Sequence, residues 1–218
     1  MSTVEATSRT TLRRLPARGE FSREAIDAIL DEAFLCHIAF LDDEGRPALI
    51  PTAFGREGDW LYVHGSNKNR ALRAMIGGDA CLSVMLLDGF VLARSTFHHS
   101  FNYRSVIVYG QGEEGDRRGR KAAGGQLHYR PHCARTAYGR SADITKKSYS
   151  ATLVVRLSLA ECSAKVRTGG PSDDAEDMDW PVWAGVLPVK TVYGPPEPAS
   201  DLEPGIGPSA VVTDYKRP

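Results

Sequence analysis

The chain has 218 residues, with 27 Lys and Arg against 27 Asp and Glu, so its formal net charge is zero. This balance argues against a dedicated nucleic-acid-binding or membrane-surface protein, since such proteins usually carry a strong excess of one charge. Hydrophobic residues make up 42% of the chain and charged residues 25%, which are ordinary globular values and exclude wholesale disorder.

The sequence also bears on the compartment in which the protein works. No apolar run approaches the about 18 residues that a membrane span needs. The polar N-terminus lacks the apolar core of a secretory signal. The four cysteines are scattered without a CxxC pair, which is typical of reduced thiols in the cytosol. We therefore expect a cytoplasmic protein that contacts neither membranes nor nucleic acids.

The first predicted element is a helix over Ser22–Phe34. Ser22 is a residue type that caps helix N-termini, and Glu24 suits the first turn because it complements the helix dipole. Four apolar residues recur at helical spacing and share one face: Ile26, Ile29, Leu30 and Ala33.

Short strands separated by turn residues follow. The predicted strands are, in chain order, Cys36–Asp42, Pro47–Arg56, Trp60–Gly65, Ala80–Leu87, Phe90–Ser95, Arg104–Gly112 and Ala151–Leu157. A short helix over Asn67–Ile76 interrupts them and is ended by Gly77 and Gly78. Many short strands with few helices between them favour an antiparallel barrel over a parallel sheet.

Proline content separates the end of the chain from the rest. Nine of the 13 prolines lie from Pro171 onward, and such a segment cannot hold long helices. We expect an N-terminal extension over residues 1–21, one main domain over residues 22–189 and a proline-rich tail over residues 190–218.

The segment between strand Trp60–Gly65 and the short helix carries the residues best suited to bind an anion. Backbone N–H groups converge where a helix begins. Ser66 and Asn67 can donate hydrogen bonds, and Lys68 and Arg70 add charge suited to phosphate. The same composition is also typical of an ordinary helix cap with a solvated basic turn, so the residues alone leave both interpretations open.

A glycine pattern over residues 110–115 formally matches the dinucleotide-binding motif. Glu113 and Glu114 inside the loop would repel a pyrophosphate, and the apolar helix and the later acid that the motif requires do not follow. We predict a hairpin or bulge instead.

The histidines do not form a convincing metal-binding pattern. Pro131 spoils a helical presentation of His128 and His132, and no nearby carboxylate completes the set. His98 and His99 are adjacent and would face opposite sides of a strand. We predict no metal site and interpret the basic run 116–147 as a solvated surface.

Five stretches of the chain carry a family resemblance. They are Ala48–Thr52, Leu61–Ser66, Asn102–Gly110, Ser163–Pro171 and Trp183–Pro188. Together they resemble the pyridoxamine 5′-phosphate oxidase-like superfamily of FMN-binding split barrels, and within it the nitroimidazole reductase-like branch. The resemblance implies a mainly β (α+β) fold: a six- or seven-stranded antiparallel split barrel with flanking helices that forms a homodimer.

The resemblance also implies where FMN would bind. In such families FMN lies across the barrel at the homodimer interface, beside the strand that here holds Ile50, Pro51 and Thr52, and His64 would lie close to the flavin. His64 is the one catalytic candidate, because imidazole can donate to a flavin or substrate atom near neutral pH. The expected phosphate ligands are Ser66, Lys68, Asn69 and Arg70, and the expected further cofactor or interface contacts are Tyr103, Arg104, Ser105 and Trp183.

The function implied by the resemblance is that of an FMN-dependent oxidoreductase acting on a small, planar substrate. Vitamin B6 oxidation is not assigned, because the full set of substrate-phosphate residues of a true pyridoxamine phosphate oxidase is missing. The alternative is a non-catalytic sensor or regulator that binds flavin or haem, since a fold does not determine activity.

Overall fold

The structure is a computed structural model that describes residues 2–115 and 151–213. The described residues form two compact units, each assembled from separate stretches of chain. Unit 1 comprises residues 2–33, 83–108 and 161–191, and unit 2 comprises residues 34–82, 109–115, 151–160 and 192–213. The domain boundaries at residues 22 and 189 stay a prediction. The interpretations of His128, His132 and the basic run 116–147 fall outside the described residues.

Most regular structure in the described residues is β. The strands are β1 (Gly19–Glu20), β2 (Leu35–Leu41), β3 (Pro47–Ala53), β4 (Gly55–Glu57), β5 (Trp60–Ser66), β6 (Asp79–Leu92), β7 (Ser100–Gln111), β8 (Glu113–Glu114), β9 (Thr152–Ser158), β10 (Cys162–Arg167) and β11 (Gly185–Pro188). The helices are α1 (Arg23–Glu32), α2 (Arg70–Met75) and α3 (Ala210–Thr213), with short 3₁₀ segments at Pro16–Arg18, Thr96–His98 and Ala175–Asp177. The prediction of a mainly β chain with few helices is confirmed.

Helix α1 forms as its sequence predicts, although it is shorter. The Oγ atom of Ser22 accepts a hydrogen bond from Ala25 N, so Ser22 is the N-cap. The helix ends at Glu32 because Ala33 is already extended, with φ −83° and ψ 151°, and leads into β2. The predicted apolar face is buried: Ile26, Ile29, Leu30 and Ala33.

Unit 1 contains the sheet order β1-β10-β7-β6, with β11 paired to β6. β10 and β7 are antiparallel from the pair Cys162–Val108 to the pair Arg167–Tyr103. Side chains buried in this unit include Ile26, Leu30, Val91, Val106 and Ala164.

The prediction of two strands, Ala80–Leu87 and Phe90–Ser95, was wrong, because β6 runs unbroken through Asp88 and Gly89. Gly89 pairs with Pro188 of β11. A Cβ atom on Gly89 would lie 3.0 Å from Val186 Cγ1 and 3.1 Å from Leu187 O. Glycine is therefore required here for the close approach of a neighbouring strand and not for a turn.

Unit 2 contains the antiparallel β2–β3 hairpin and a four-stranded sheet of order β4-β5-β9-β8. The prediction of one strand over Pro47–Arg56 was wrong, because β3 ends at Ala53 and β4 pairs with β5 instead. Phe54 separates the two strands and is buried. The buried hydrophobic residues of this unit include Cys36, Ile38, Leu61, Leu72, Met75, Val155 and Leu157.

Helix α2 covers only the second part of the predicted helix Asn67–Ile76. It begins after Asn69, whose Oδ1 atom accepts a hydrogen bond from Leu72 N. Residues 66–69 instead form a turn in which Asn69 N donates to Ser66 O at 2.8 Å. The helix ends at Met75, ahead of Gly77 as predicted.

The glycine pattern over residues 110–115 lies on strands. Gly112 separates β7 from β8, donates its N–H to Met75 O at 2.8 Å and accepts a hydrogen bond from Gly77 N at 3.0 Å. A Cβ atom on Gly112 would lie 2.7 Å from both Met75 O and Val155 Cγ1. Close packing explains this glycine without a nucleotide.

Candidate functional site

The strand expected beside a flavin, β3, lies in unit 2 and is paired along its whole length with β2. Ile50 is opposite Ile38, Pro51 opposite His37 and Thr52 opposite Cys36. Ile50 and Thr52 are half-buried, whereas Pro51 is exposed on the other side. The carbonyl of Thr52 accepts a long hydrogen bond of 3.6 Å from Cys36 Sγ. Burial raises the pKa of the Cys36 thiol to about 12, so this cysteine has no nucleophilic role at neutral pH.

The outward side of the β2–β3 hairpin is an exposed apolar surface. We call it the hairpin face; it consists of Leu35, His37, Ala39, Leu41, Pro47, Leu49, Pro51 and Ala53. Leu35 is 64% exposed and Leu49 62%. The face contains no Asp, Glu, Lys or Arg. A contiguous uncharged apolar surface of this kind usually contacts a partner or a ligand.

Residues 66–70, which we call the basic turn, connect β5 to α2. Ser66 Oγ accepts a hydrogen bond from Lys68 N at 3.2 Å, and Asn69 Oδ1 caps the helix. Both side chains act as acceptors in these bonds, so the Ser66 hydroxyl and the Asn69 amide group can still donate hydrogens to an anion. Lys68 and Arg70 are exposed. The helix-cap interpretation is thus confirmed for Asn69, and it leaves the phosphate interpretation open.

The carboxylate of Asp42 interacts electrostatically with Arg70 of the basic turn. The hydrogen bond from Arg46 N is the largest cause that lowers the pKa of Asp42, and the positive charge of Arg70 lowers it further. Arg70 is therefore close enough to Asp42 for an attractive interaction. An anion bound at the basic turn would share this guanidinium with Asp42.

His64 lies on β5, two residues before the basic turn, opposite Val154 of β9. It is half-buried, and burial lowers its pKa because the charged imidazolium loses hydration. The ring is therefore neutral at pH 7. A neutral imidazole can donate through one nitrogen and accept through the other, or ligate a metal.

The predicted residues Tyr103, Arg104 and Ser105 lie on β7 in unit 1. Arg104 bonds two carboxylates: its Nε and Nη2 atoms donate to Asp88 at 2.9 and 2.7 Å, and its other donors reach Glu32. These hydrogen bonds raise the pKa of Arg104, those donated to Asp88 most strongly. The guanidinium thus links α1 to β6 and β7, which is a role in positioning. Ser105 Oγ donates to Lys165 O at 3.2 Å.

The structure adds a polar pair in unit 1 that the sequence analysis did not identify. Arg167, at the end of β10, is 8% exposed and donates to Asn102 Oδ1 and to the carbonyls of Gly169 and Gly170. Asn102 Nδ2 also donates to Gly169 O at 3.0 Å. The available signal was an arginine within the stretch Ser163–Pro171 that carries the family resemblance, two residues before a pair of glycines.

Trp183, expected near a cofactor, precedes β11 in unit 1 and is 68% exposed. Its ring lies over the backbone of Gly185. An exposed indole on a strand end can cover a planar ligand or pack against a partner chain.

Neither of the adjacent histidines is on a strand: His98 ends the 3₁₀ segment Thr96–His98, and His99 is its C-cap. His99 Nδ1 accepts a hydrogen bond from Ala93 N at 3.0 Å. His98 Nε2 lies 3.1 Å from Asp174 Oδ2 and 3.9 Å from Asp177 Oδ2. Arg94 N and Ser95 N donate to Asp173, so these contacts also join residues 94–98 to residues 173–177. The loop or cap positions are confirmed for this pair, whereas the absence of a metal site stays a prediction, because ligand atoms of His98, Asp174 and Asp177 lie within 4.8 Å of one another.

Within the two units, the structure brings the predicted residues into two groups. In unit 2, His64 and the basic turn are neighbours, and Ile50–Thr52 belong to the same unit. In unit 1, Tyr103 lies opposite Arg167. None of the helices in the described residues is both long and apolar enough to cross a membrane.

Comparison with known proteins identifies the family. The sequence model described as pyridoxamine 5′-phosphate oxidase matches residues 22–166. The flavocytochrome Anf3 from Azotobacter vinelandii is 36% identical, with 97% of this chain and 99% of that chain covered and a TM-score of 0.87. An FAD and haem binding protein from Mycobacterium smegmatis is 37% identical, with coverages of 90% and 96% and a TM-score of 0.83. No curated protein matches the sequence.

A third solved structure bears on the fold alone. A putative 5-nitroimidazole antibiotic resistance protein from Bacteroides thetaiotaomicron is 20% identical over 68% of this chain and 86% of its own, with a TM-score of 0.54. These similarities confirm the prediction of a mainly β split-barrel fold and of the superfamily.

Proposed function

This chain belongs to the pyridoxamine 5′-phosphate oxidase family, and from that premise we propose that it is a flavin-binding redox protein that also binds haem. The observation that carries the proposal is identity above 35% over at least 90% of the chain with two proteins described as a flavocytochrome and as an FAD and haem binding protein. FMN is the flavin expected from the sequence, and FAD is the one named for the Mycobacterium smegmatis protein.

The residues of unit 2 suit a flavin phosphate. The basic turn offers two exposed cations, Lys68 and Arg70, and two side-chain donors, Ser66 and Asn69. Charge-assisted hydrogen bonds to phosphate from such groups contribute about 1.5–3 kcal/mol each when well formed, and less when exposed to water. His64 is neutral and lies two residues before the basic turn, where its imidazole can form a hydrogen bond with the cofactor.

The same segment is chemically compatible with haem, with one cofactor occupying it at a time. Haem iron takes a neutral imidazole as axial ligand, and its propionates require cations. His64 supplies the imidazole, since burial keeps its pKa low, and the basic turn supplies the cations. His99 is less suited, because its Nδ1 atom accepts from Ala93 N and the proton therefore stays on Nε2.

The active form that we propose is a homodimer joined through the hairpin face. Removing its exposed leucines from water lowers the free energy of the dimer. A face without Asp, Glu, Lys or Arg can also pack on its own copy without repulsion between like charges. Flavin and haem supply electron transfer when bound, while the protein supplies binding, orientation and electrostatics. We propose that electrons pass to or from a small, planar substrate in the cytoplasm.

A ligand titration tests the proposal. Purified protein is titrated with FMN, FAD and riboflavin by flavin fluorescence, and with haemin by its Soret absorbance. We expect FMN and FAD to bind at least about 10²-fold more tightly than riboflavin, since both carry the phosphate. Lys68→Ala combined with Arg70→Ala should remove most of that difference.

Arg56→Gln is the control, because Arg56 lies in the same unit but outside the basic turn, where it donates to the turn carbonyl of Gly58 at 3.2 Å. It should leave flavin affinity unchanged. Equal affinity for FMN and riboflavin would refute the phosphate site, and failure to bind any flavin or haemin would refute the proposed function. A flavin-loaded protein inert to nicotinamide donors and nitroaromatic acceptors would favour the sensor alternative.

A further inference from the structure

The guanidinium of Arg167 in unit 1 is buried without a matching negative charge. It donates to three neutral oxygens: Asn102 Oδ1, Gly169 O at 3.4 Å and Gly170 O at 3.1 Å. Within residues 2–115 and 151–213, its Nε atom has no hydrogen-bond partner and no carboxylate pairs with it. A buried cation without an anionic partner is costly, so native proteins rarely keep one without a reason.

Other arginines of the chain show what this edge of a guanidinium normally binds. The Nε and Nη2 atoms of four of them donate side by side to one carboxylate: Arg9 to Glu161, Arg46 to Asp42, Arg104 to Asp88 and Arg156 to Glu113. Arg167 has the same edge, but among the described residues its Nε atom has no hydrogen-bond partner and its Nη2 atom donates to the Gly170 carbonyl. The edge is geometrically matched to two oxygens of a phosphate or carboxylate.

We propose that Arg167 and its surroundings form an oxyanion site in unit 1 that takes a phosphate group, the edge of Arg167 binding two phosphate oxygens. The residues of this site belong to unit 1, whereas the basic turn belongs to unit 2, and the proposal does not depend on flavin binding. Gly169 and Gly170 border it, and among the described residues no heavy atom lies within 4 Å of the Cβ position of either glycine, so the loop itself is open at these two positions.

The electrostatics of the surroundings favour an anion. Burial lowers the pKa of Arg167, and the positive charge of Arg18 lowers it further, while Tyr103 acts in the opposite direction. Arg18 is therefore close enough to repel Arg167. A bound phosphate would offset this repulsion, and its negative charge would stabilise the guanidinium that burial removes from water.

Calorimetric titration with inorganic pyrophosphate tests the site. The protein carries Lys68→Ala and Arg70→Ala, so that the basic turn cannot account for binding. We expect pyrophosphate to bind this protein and to raise its melting temperature. Adding Arg167→Lys keeps the charge but removes the two-donor edge, and it should weaken binding by about 10-fold or more. Inorganic phosphate and acetate, titrated in parallel, distinguish a phosphate site from a general carboxylate site.

Arg9→Gln is the matched control, because Arg9 lies in the same unit and its edge is already occupied by Glu161. It should change the pyrophosphate affinity by less than about twofold. Absence of pyrophosphate binding in the background protein would overturn the proposal. So would equal affinity of the Arg167→Lys protein, equal weakening by Arg9→Gln, or tighter binding of acetate than of phosphate. Because no flavin is present, these results are independent of the flavin titration.

Discussion

At the scale of single residues, burial determines the protonation state of the main candidate for chemistry. His64 is neutral near pH 7 because its pKa lies below 6.5. A lowered folded-state pKa means that the unfolded chain binds a proton more readily. The contribution of His64 to stability is therefore complete above pH 6.5 and decreases as the pH falls from 6.5 toward the folded-state pKa.

This sign gives a prediction for His64→Gln. The variant has no imidazole to protonate, so its melting temperature should fall less between pH 7 and pH 5 than that of the wild type. Nuclear magnetic resonance should place the titration midpoint of the wild-type His64 ring below 6.5. A midpoint at or above 6.5, or equal acid sensitivity of the two proteins, would contradict the assignment.

At the scale of elements, Gly112 fixes the end of α2 to the strands of unit 2. Gly112→Ala would place a methyl group 2.7 Å from both Met75 O and Val155 Cγ1. Both neighbours belong to residues of the buried core, so the methyl group forces a shift. We expect a loss of about 1–3 kcal/mol in the free energy of unfolding, measured by urea denaturation.

Gly194→Ala is the control for this change, because no heavy atom lies within 4 Å of that Cβ position. Its free energy of unfolding should stay within about 0.5 kcal/mol of the wild type. If Gly112→Ala proved as stable as Gly194→Ala, the packing explanation for this glycine would be wrong. The dinucleotide interpretation would then regain support.

Elements specified by neighbouring residues were predictable from the sequence, whereas those that depend on distant strands were not. The start of α1 follows from Ser22 and its apolar face, which are local signals. Gly89 looked like a turn because its real cause, β11, lies about a hundred residues later in the chain. The break at Phe54 has a local cause, because β4 pairs with β5 across the tight turn at Gly58, but nothing in the sequence marks Ala53 as the end of β3.

The same distinction applies to the candidate site. The basic turn is a continuous segment, so its donors and cations could be read directly from the sequence. Arg104 was expected to contact a cofactor, but its observed partners, Glu32 and Asp88, lie 72 and 16 residues away. The pairing of Arg167 with Asn102 spans 65 residues. Only the three-dimensional structure shows which charges are already compensated.

At the scale of the whole molecule, the hairpin face makes the proposed homodimer testable. Leu49 lies opposite Ala39 near the middle of this face and is 62% exposed. Leu49→Arg introduces a positive charge into both copies. If the face packs on its own copy, each charge must be desolvated and the two repel across the twofold axis. We expect the dimer dissociation constant to rise by at least about 10-fold, measured by light scattering after size-exclusion chromatography.

Leu202→Arg is the control, because Leu202 is also exposed but lies outside the hairpin face. This variant should leave the dimer dissociation constant unchanged. A monomeric wild type at micromolar concentration, or equal dissociation constants for the two variants, would show that this face does not join the copies.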